Sequence, residues 1–207
     1  MGASKRISEM YCQSLSKITN TKFIITRFGN VLGSNGSVIP LFRKQLENGG
    51  PITVTHKNVT RYFMTIPEAS NLVLQAAQMS RGGEVFILDM GEQLKIYDLA
   101  QKLVHLSGRS IAAELGGDGI AIIEVGLRPG EKMYEELSYN KNLINSAHPK
   151  IMIAHEKAMT PQNMILFVDE LEELIATQNH KGIVRCMIKE ANYKTNEILR
   201  QDTITAS

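Results

Sequence analysis

Helices and apolar strands alternate along most of this chain, and that alternation predicts an α/β fold with a largely parallel sheet. Two observations carry the reading. Phe23-Ile24-Ile25-Thr26 and Glu84-Val85-Phe86-Ile87-Leu88-Asp89 are short, apolar and rich in β-branched residues, as strands covered on both faces are. Between the strands lie segments with apolar residues at three- and four-residue spacing, the mark of helices that bury one face. At 207 residues and 43% hydrophobic, the chain is long enough for one sizeable core.

Residues 3–18 carry Ile7, Met10, Tyr11, Leu15 and Ile18 at helical spacing, and Asn20 can end that helix. A strand at 22–28 follows. Pro40 to Glu47 reads as a short helix closed by Asn48-Gly49-Gly50. Pro51–Thr55 and Thr60–Met64 read as two short strands. Thr65-Ile66-Pro67-Glu68 is a capping box, with a Thr, an early Pro and a Glu three residues after the Thr; it opens a helix to about Met79. A strand at 84–89 and a helix through Ile96, Leu99, Leu103 and Leu106 come next. A strand at 120–125, a helix from about 130 to 137, a polar connector at 138–149 and a strand at 150–154 follow. Two helices, at roughly 161–177 and 180–192, precede a polar tail.

Charge and composition exclude several functions. Lys and Arg number 23 against 21 Asp and Glu, without a long basic block, so there is no electrostatic footprint for nucleic acid. No apolar run is long enough to span a bilayer, and no signal peptide is recognisable. The two cysteines, Cys12 and Cys186, have no metal-ligand spacing, nor do the five histidines; reduced thiols and a cytoplasmic location are the expectation, with no metal.

The most informative stretch is Arg27-Phe28-Gly29-Asn30-Val31-Leu32-Gly33-Ser34-Asn35-Gly36-Ser37-Val38-Ile39-Pro40. After a strand, such a loop offers bare backbone N–H groups and small side chains where a ligand must come close, although the same composition also describes an ordinary strand-to-helix connection. Its glycines do not have the Gly-x-Gly-x-x-Gly spacing of a dinucleotide turn, and no other segment does. Met1 and Lys5 stand four apart on one helix face; Met cannot exchange a proton, and a Lys there is otherwise a surface residue. Arg128 and Glu131 bracket Pro129-Gly130. A guanidinium can clamp phosphate oxygens and a carboxylate can accept from two ribose hydroxyls, but a turn plus a helix-start Glu explains the same residues. Arg61, flanked by Tyr62 and Phe63, is a cation in an otherwise apolar strand, which suits a fixed anionic partner, and a structural salt bridge would explain it too.

Five motifs in order, Met-Gly-Ala-Ser-Lys-Arg at 1–6, Arg-Phe-Gly-Asn-Val-Leu-Gly-Ser at 27–34, Gly-Ser-Val-Ile-Pro-Leu-Phe at 36–42, Thr-Arg-Tyr-Phe-Met-Thr-Ile-Pro-Glu-Ala at 60–69 and Gly-Leu-Arg-Pro-Gly-Glu-Lys at 126–132, resemble the C-terminal half of nucleotide-sugar 4,6-dehydratases of the capsular-polysaccharide type. These belong to the extended short-chain dehydrogenase/reductase group. The resemblance covers about residues 1–155 and is weak beyond. It implies a Rossmann-like fold with an interleaved substrate-binding subdomain over 1–155 and a helical extension over 156–207.

By the same resemblance the substrate is a UDP-sugar, typically UDP-N-acetylglucosamine. It is oxidised at C4 by NAD(P), loses water across C5 and C6, and takes the hydride back at C6. Lys5 is then the catalytic Lys that holds the nicotinamide ribose, with Arg27 and Phe28 beside the cofactor. Asn30 touches the sugar nucleotide, Ser37 and Val38 lie along the UDP, Arg61 and Arg128 face the diphosphate, and Glu131 faces the uridine ribose. The expectation is a UDP-sugar-binding half that needs a missing N-terminal half for chemistry and for NAD(P), or a homo-oligomer. A UDP-sugar epimerase and a non-catalytic UDP-sugar-binding fragment are the alternatives.

Overall fold

The computed structural model describes residues 2–137, 143–156 and 158–191. Met1 of the first motif therefore lies outside the described residues, as do residues 192–207 with the whole of the tail.

Helix α1 spans Gly2–Leu15 and leads to strand β1 (Ile25–Arg27) and the two-residue β2 (Asn30–Val31). Then follow α2 (Val38–Glu47), β3 (Ile52–Val54), β4 (Thr60–Arg61), β5 (Phe63–Met64), α3 (Ile66–Met79), β6 (Val85–Leu88), β7 (Leu94–Lys95) and α4 (Ile96–Leu106). The chain continues through β8 (Ile122–Glu124), β9 (Leu143–Asn145), β10 (Ile151–Ala154), α5 (Pro161–Ala176) and α6 (His180–Glu190).

The main sheet has the order β1-β6-β10-β9. β1 and β6 run parallel, pairing Ile25 with Val85 and Arg27 with Ile87, but β10 runs antiparallel to both β6 and β9. The sheet is thus mixed rather than largely parallel. All four residues of β6 are buried. Its side chains alternate, so Val85 and Ile87 join Ile25 and Ala154 on one face, while Phe86 and Leu88 join Leu72, Ala76 and Ile151 under α3 on the other. That alternation is why the strand reads as continuously apolar. α3 starts as its capping box demands, with the Thr65 hydroxyl accepting from the Glu68 N–H.

A second core lies away from this sheet. Phe42 and Leu46 of α2, Ile52 and Val54 of β3, and Ala100 and Val104 of α4 pack together with Val59, Ile96 and Ile120. Here β3 and β8 pair in parallel, Ile52 against Ile122, while β4 pairs antiparallel with β7. A third cluster joins Met10 of α1 to Met164 and Phe167 of α5 and Cys186 of α6, so the last two helices pack on the first.

Five further expectations need correction. The face α1 buries is Arg6, Met10, Gln13 and Ser14, whereas Tyr11 and Ile18 are exposed; ion pairing described below makes a buried Arg6 affordable. The strand at 22–28 is only three residues long, because the chain leaves the main sheet at Phe28-Gly29 and pairs elsewhere, β2 running parallel to β5. Helix α2 begins at Val38 rather than Pro40, and Pro40 sits in its first turn, where an N–H has no intrahelical partner to lose. No helix forms at 130–137. Gly130 takes a left-handed φ of 76°, and the segment bonds outward, the Thr60 N–H to the Met133 carbonyl at 3.1 Å. The polar connector also holds β9, whose Leu143 and Ile144 extend the sheet through β10.

Candidate functional site

The residues singled out in the sequence gather in two places. The first is an open cavity of about 400 Å³ between the start of α1 and the end of β1, lined among others by Lys5, Arg27, Phe28, Gly29, Glu135 and Leu137. Lys5 is exposed on the first turns of α1, and Phe28 is 36% exposed. Parallel pairing of β1 with β6 brings the Phe28-Gly29 turn to the carboxyl end of both strands, where open α/β sheets bind ligands.

Arg27 lines this cavity, but its guanidinium faces inward and is held by two carboxylates. Nε and Nη2 donate to the two Glu9 oxygens, each at 2.7 Å, and Nη1 donates to Glu156 at 2.8 Å. Arg6 closes the set, 3.3 Å from Glu9 and 3.6 Å from Glu156. Two cations and two anions thus form a neutral group with side chains 4 to 14% exposed. Burial alone would lower the Arg27 pKa; Glu9 and Glu156 more than offset it, so the value is raised.

The second place is the edge of the strap formed by residues 126–137. Arg61 Nη2 meets Glu131 Oε1 at 3.1 Å, with Nη1 donating to the carbonyls of Thr60 and Met133. Glu131 Oε1 also accepts from the Thr55 hydroxyl at 3.0 Å, and Oε2 accepts from the Arg128 N–H at 3.3 Å. The Arg128 side chain is exposed. The fixed anion that Arg61 called for is therefore Glu131.

Gly29 joins the two places. Its position admits no side chain: a Cβ there would lie 2.9 Å from Glu135 Oε2 and from Tyr62 Cβ. Glu135 Oε2 accepts from the Tyr62 N–H, and its carbonyl accepts from Gln93 Nε2. Gln93 in turn bonds the Thr60 hydroxyl.

Asn30, Ser37 and Val38 are not among the cavity-lining residues. The Asn30 N–H donates to Tyr62 O at 2.9 Å, tying β2 to β5. Ser37 caps α2 by position but not by side chain, and its buried hydroxyl has no hydrogen-bond partner among the described residues. No group of three or more His, Cys, Asp or Glu side chains is placed to hold a metal among those residues, and none of their helices is long and apolar enough to cross a membrane.

Sequence reasoning missed Arg6, Glu9 and Glu156, and it missed Glu135. The first group left a signal: Arg6 and Gln13 share a helical stripe with Met10, and polar residues on a buried stripe need partners. Glu135 left none, because its role depends on where the strap crosses Tyr62.

The fold is that of a Rossmann-like α/β protein. The chain belongs to the family of polysaccharide biosynthesis proteins, whose family model matches residues 1–180 and so runs well past residue 155. It is 59% identical over 151 residues to the capsular polysaccharide biosynthesis protein CapD of Staphylococcus aureus, covering 72% of this chain and 24% of that one. It is 51% identical over 176 residues to the probable polysaccharide biosynthesis protein EpsC of Bacillus subtilis, covering 84% and 28%. The chain thus spans about a quarter of the length of these relatives. Among solved structures, Pen from Bacillus thuringiensis superposes with a TM-score of 0.60 at 31% identity, over 78% of this chain and 55% of that one.

Proposed function

We propose that this chain is the UDP-sugar-binding part of a nucleotide-sugar 4,6-dehydratase that serves polysaccharide synthesis. One observation carries the reading: Glu131 of the 126–132 motif meets both Arg61 of the 60–69 motif, at 3.1 Å, and the Arg128 N–H, at 3.3 Å. A forked cation, a carboxylate able to accept from a diol, and a second, exposed cation form a set suited to a nucleoside diphosphate. By the family resemblance, Ser37 and Val38 at the start of α2 would lie along the same UDP; the Ser37 hydroxyl is buried and has no partner among the described residues.

The donor set of the cavity fits the nicotinamide end of NAD(P). Lys5 would hold the ribose hydroxyls and Phe28 would lie against the ring, while the Arg27 guanidinium, already bound by Glu9 and Glu156, fixes the wall rather than the cofactor. When bound, NAD(P) supplies the acceptor for hydride from the sugar C4. Glycine spacing in this chain suits no dinucleotide turn, so the rest of the cofactor needs residues of the longer relatives.

Calorimetric titration of the chain with UDP tests the reading. Binding that is lost in Arg128→Ala is the expected result; absence of binding by the unmodified chain overturns it.

A further inference from the structure

We propose that the Arg61–Glu131 ion pair is a selectivity device, which keeps Arg61 from free phosphates and yields only to a ligand that brings both an anion and a vicinal diol. The inference rests on the UDP-sugar reading of the same site.

The two groups satisfy each other in the unliganded protein. Arg61 Nη2 is 3.1 Å from Glu131 Oε1, with the side chains only 17% and 20% exposed. Neither can turn away freely. Arg61 is anchored by Nη1 to the carbonyls of Thr60 (2.7 Å) and Met133 (3.3 Å), and Glu131 is anchored by the Thr55 hydroxyl and the Arg128 N–H. The cation is therefore present but already matched.

Consider what each ligand would meet. Inorganic pyrophosphate approaching Arg61 places its negative charge beside the Glu131 carboxylate. It must either compete with that carboxylate or leave it partly buried without its cation, and both are unfavourable. A nucleoside diphosphate brings its anion to Arg61 and two ribose hydroxyls that can donate to Glu131, so both groups of the broken pair find new partners. Discrimination then comes from the penalty imposed on the wrong ligand rather than from extra contacts to the right one.

The test uses the full chain and two probes, inorganic pyrophosphate and UDP, titrated by calorimetry. Glu131→Gln removes the competing charge at nearly constant shape. It should bind pyrophosphate about tenfold more tightly than the unmodified chain, and its preference for UDP over pyrophosphate should shrink by more than that factor. Glu131→Asp, which draws the carboxylate back from Arg61 by one methylene, should shift pyrophosphate binding in the same direction by about threefold and serves if the Gln variant does not fold. Pyrophosphate affinity that is unchanged or weaker in the folded variants overturns the inference, even where the unmodified chain binds UDP. If the unmodified chain binds no UDP but Glu131→Gln gains pyrophosphate, the nucleotide reading fails while the masking of Arg61 stands.

Discussion

Arg27 holds Glu9 in a parallel fork, Nε to Oε1 and Nη2 to Oε2, each 2.7 Å, across the junction between the first helix and the first strand. Bidentate pairs of this kind fix orientation as well as charge. This one sets the angle at which α1 presents Lys5 to the cavity. Because Glu156 follows β10 and also bonds Arg27, the fork ties the helix to two strands of the main sheet.

Removing one member strands a buried charge. Glu9→Ala and Arg27→Met are each expected to destabilise the chain by about 3–5 kcal/mol. The double variant should lose clearly less than the sum of the two, since it strands fewer unpaired charges. Urea unfolding of all four proteins measures the coupling; strictly additive losses would mean that the fork contributes nothing as a pair.

Gly29→Ala should do more damage than a glycine-to-alanine change usually does. The added methyl would sit 2.9 Å from Glu135 Oε2 and from Tyr62 Cβ, so the strap must move. A loss of about 1–3 kcal/mol is expected, together with weaker UDP binding. Thermal melting and titration of the variant measure the two effects.

Arg128 and Arg61 should separate cleanly. Arg128 is exposed, so Arg128→Ala should abolish UDP binding while shifting stability by less than about 0.5 kcal/mol. Arg61→Ala should lose both, because it leaves Glu131 without its cation. Equal melting temperatures for the two variants would contradict this division.

Glu84 gives a pH dependence with a definite sign. Burial raises its pKa, but donation from the Ser80 hydroxyl and from the N–H groups of Arg81 and Gly82 outweighs burial, and the value lies below the ordinary 4.5. The ionised form is therefore favoured by folding. Its stabilisation is fully present above the ordinary carboxylate value and is lost as pH falls through the lower folded value. Melting temperatures of the unmodified chain and Glu84→Gln should differ near neutral pH and converge in acid.

Much of the fold was legible, because the strongest signals are local. Thr65, Pro67 and Glu68 set the start of α3 by their own geometry, and the buried run at 85–88 had to be a central strand. What could not be read depends on crossings in space. The pattern at 130–137 looks helical only if Thr60, Tyr62 and Gln93 are ignored, yet these are the groups that bond it. The direction of β10 is also invisible in an apolar run of four residues, since parallel and antiparallel neighbours bury the same side chains. For the site, residue types pointed to Arg61, Arg128 and Glu131, but that Arg61 and Glu131 answer each other first emerged only from the strap's path.

That strap has a length constraint as strict as a hairpin's. Glu131 answers Arg61 and Glu135 answers the neighbouring Tyr62, so four residues of strap are matched to a single step along the adjacent backbone. A residue gained or lost between 131 and 135 would put both anchors out of step at once and carry Leu137 off the cavity wall. Indel tolerance in this protein should therefore follow hydrogen-bond register rather than secondary structure: the turn at 114–118, which lies outside the bonds that join Ser110 and Ala112 to Ile120, can change length, and this irregular segment cannot.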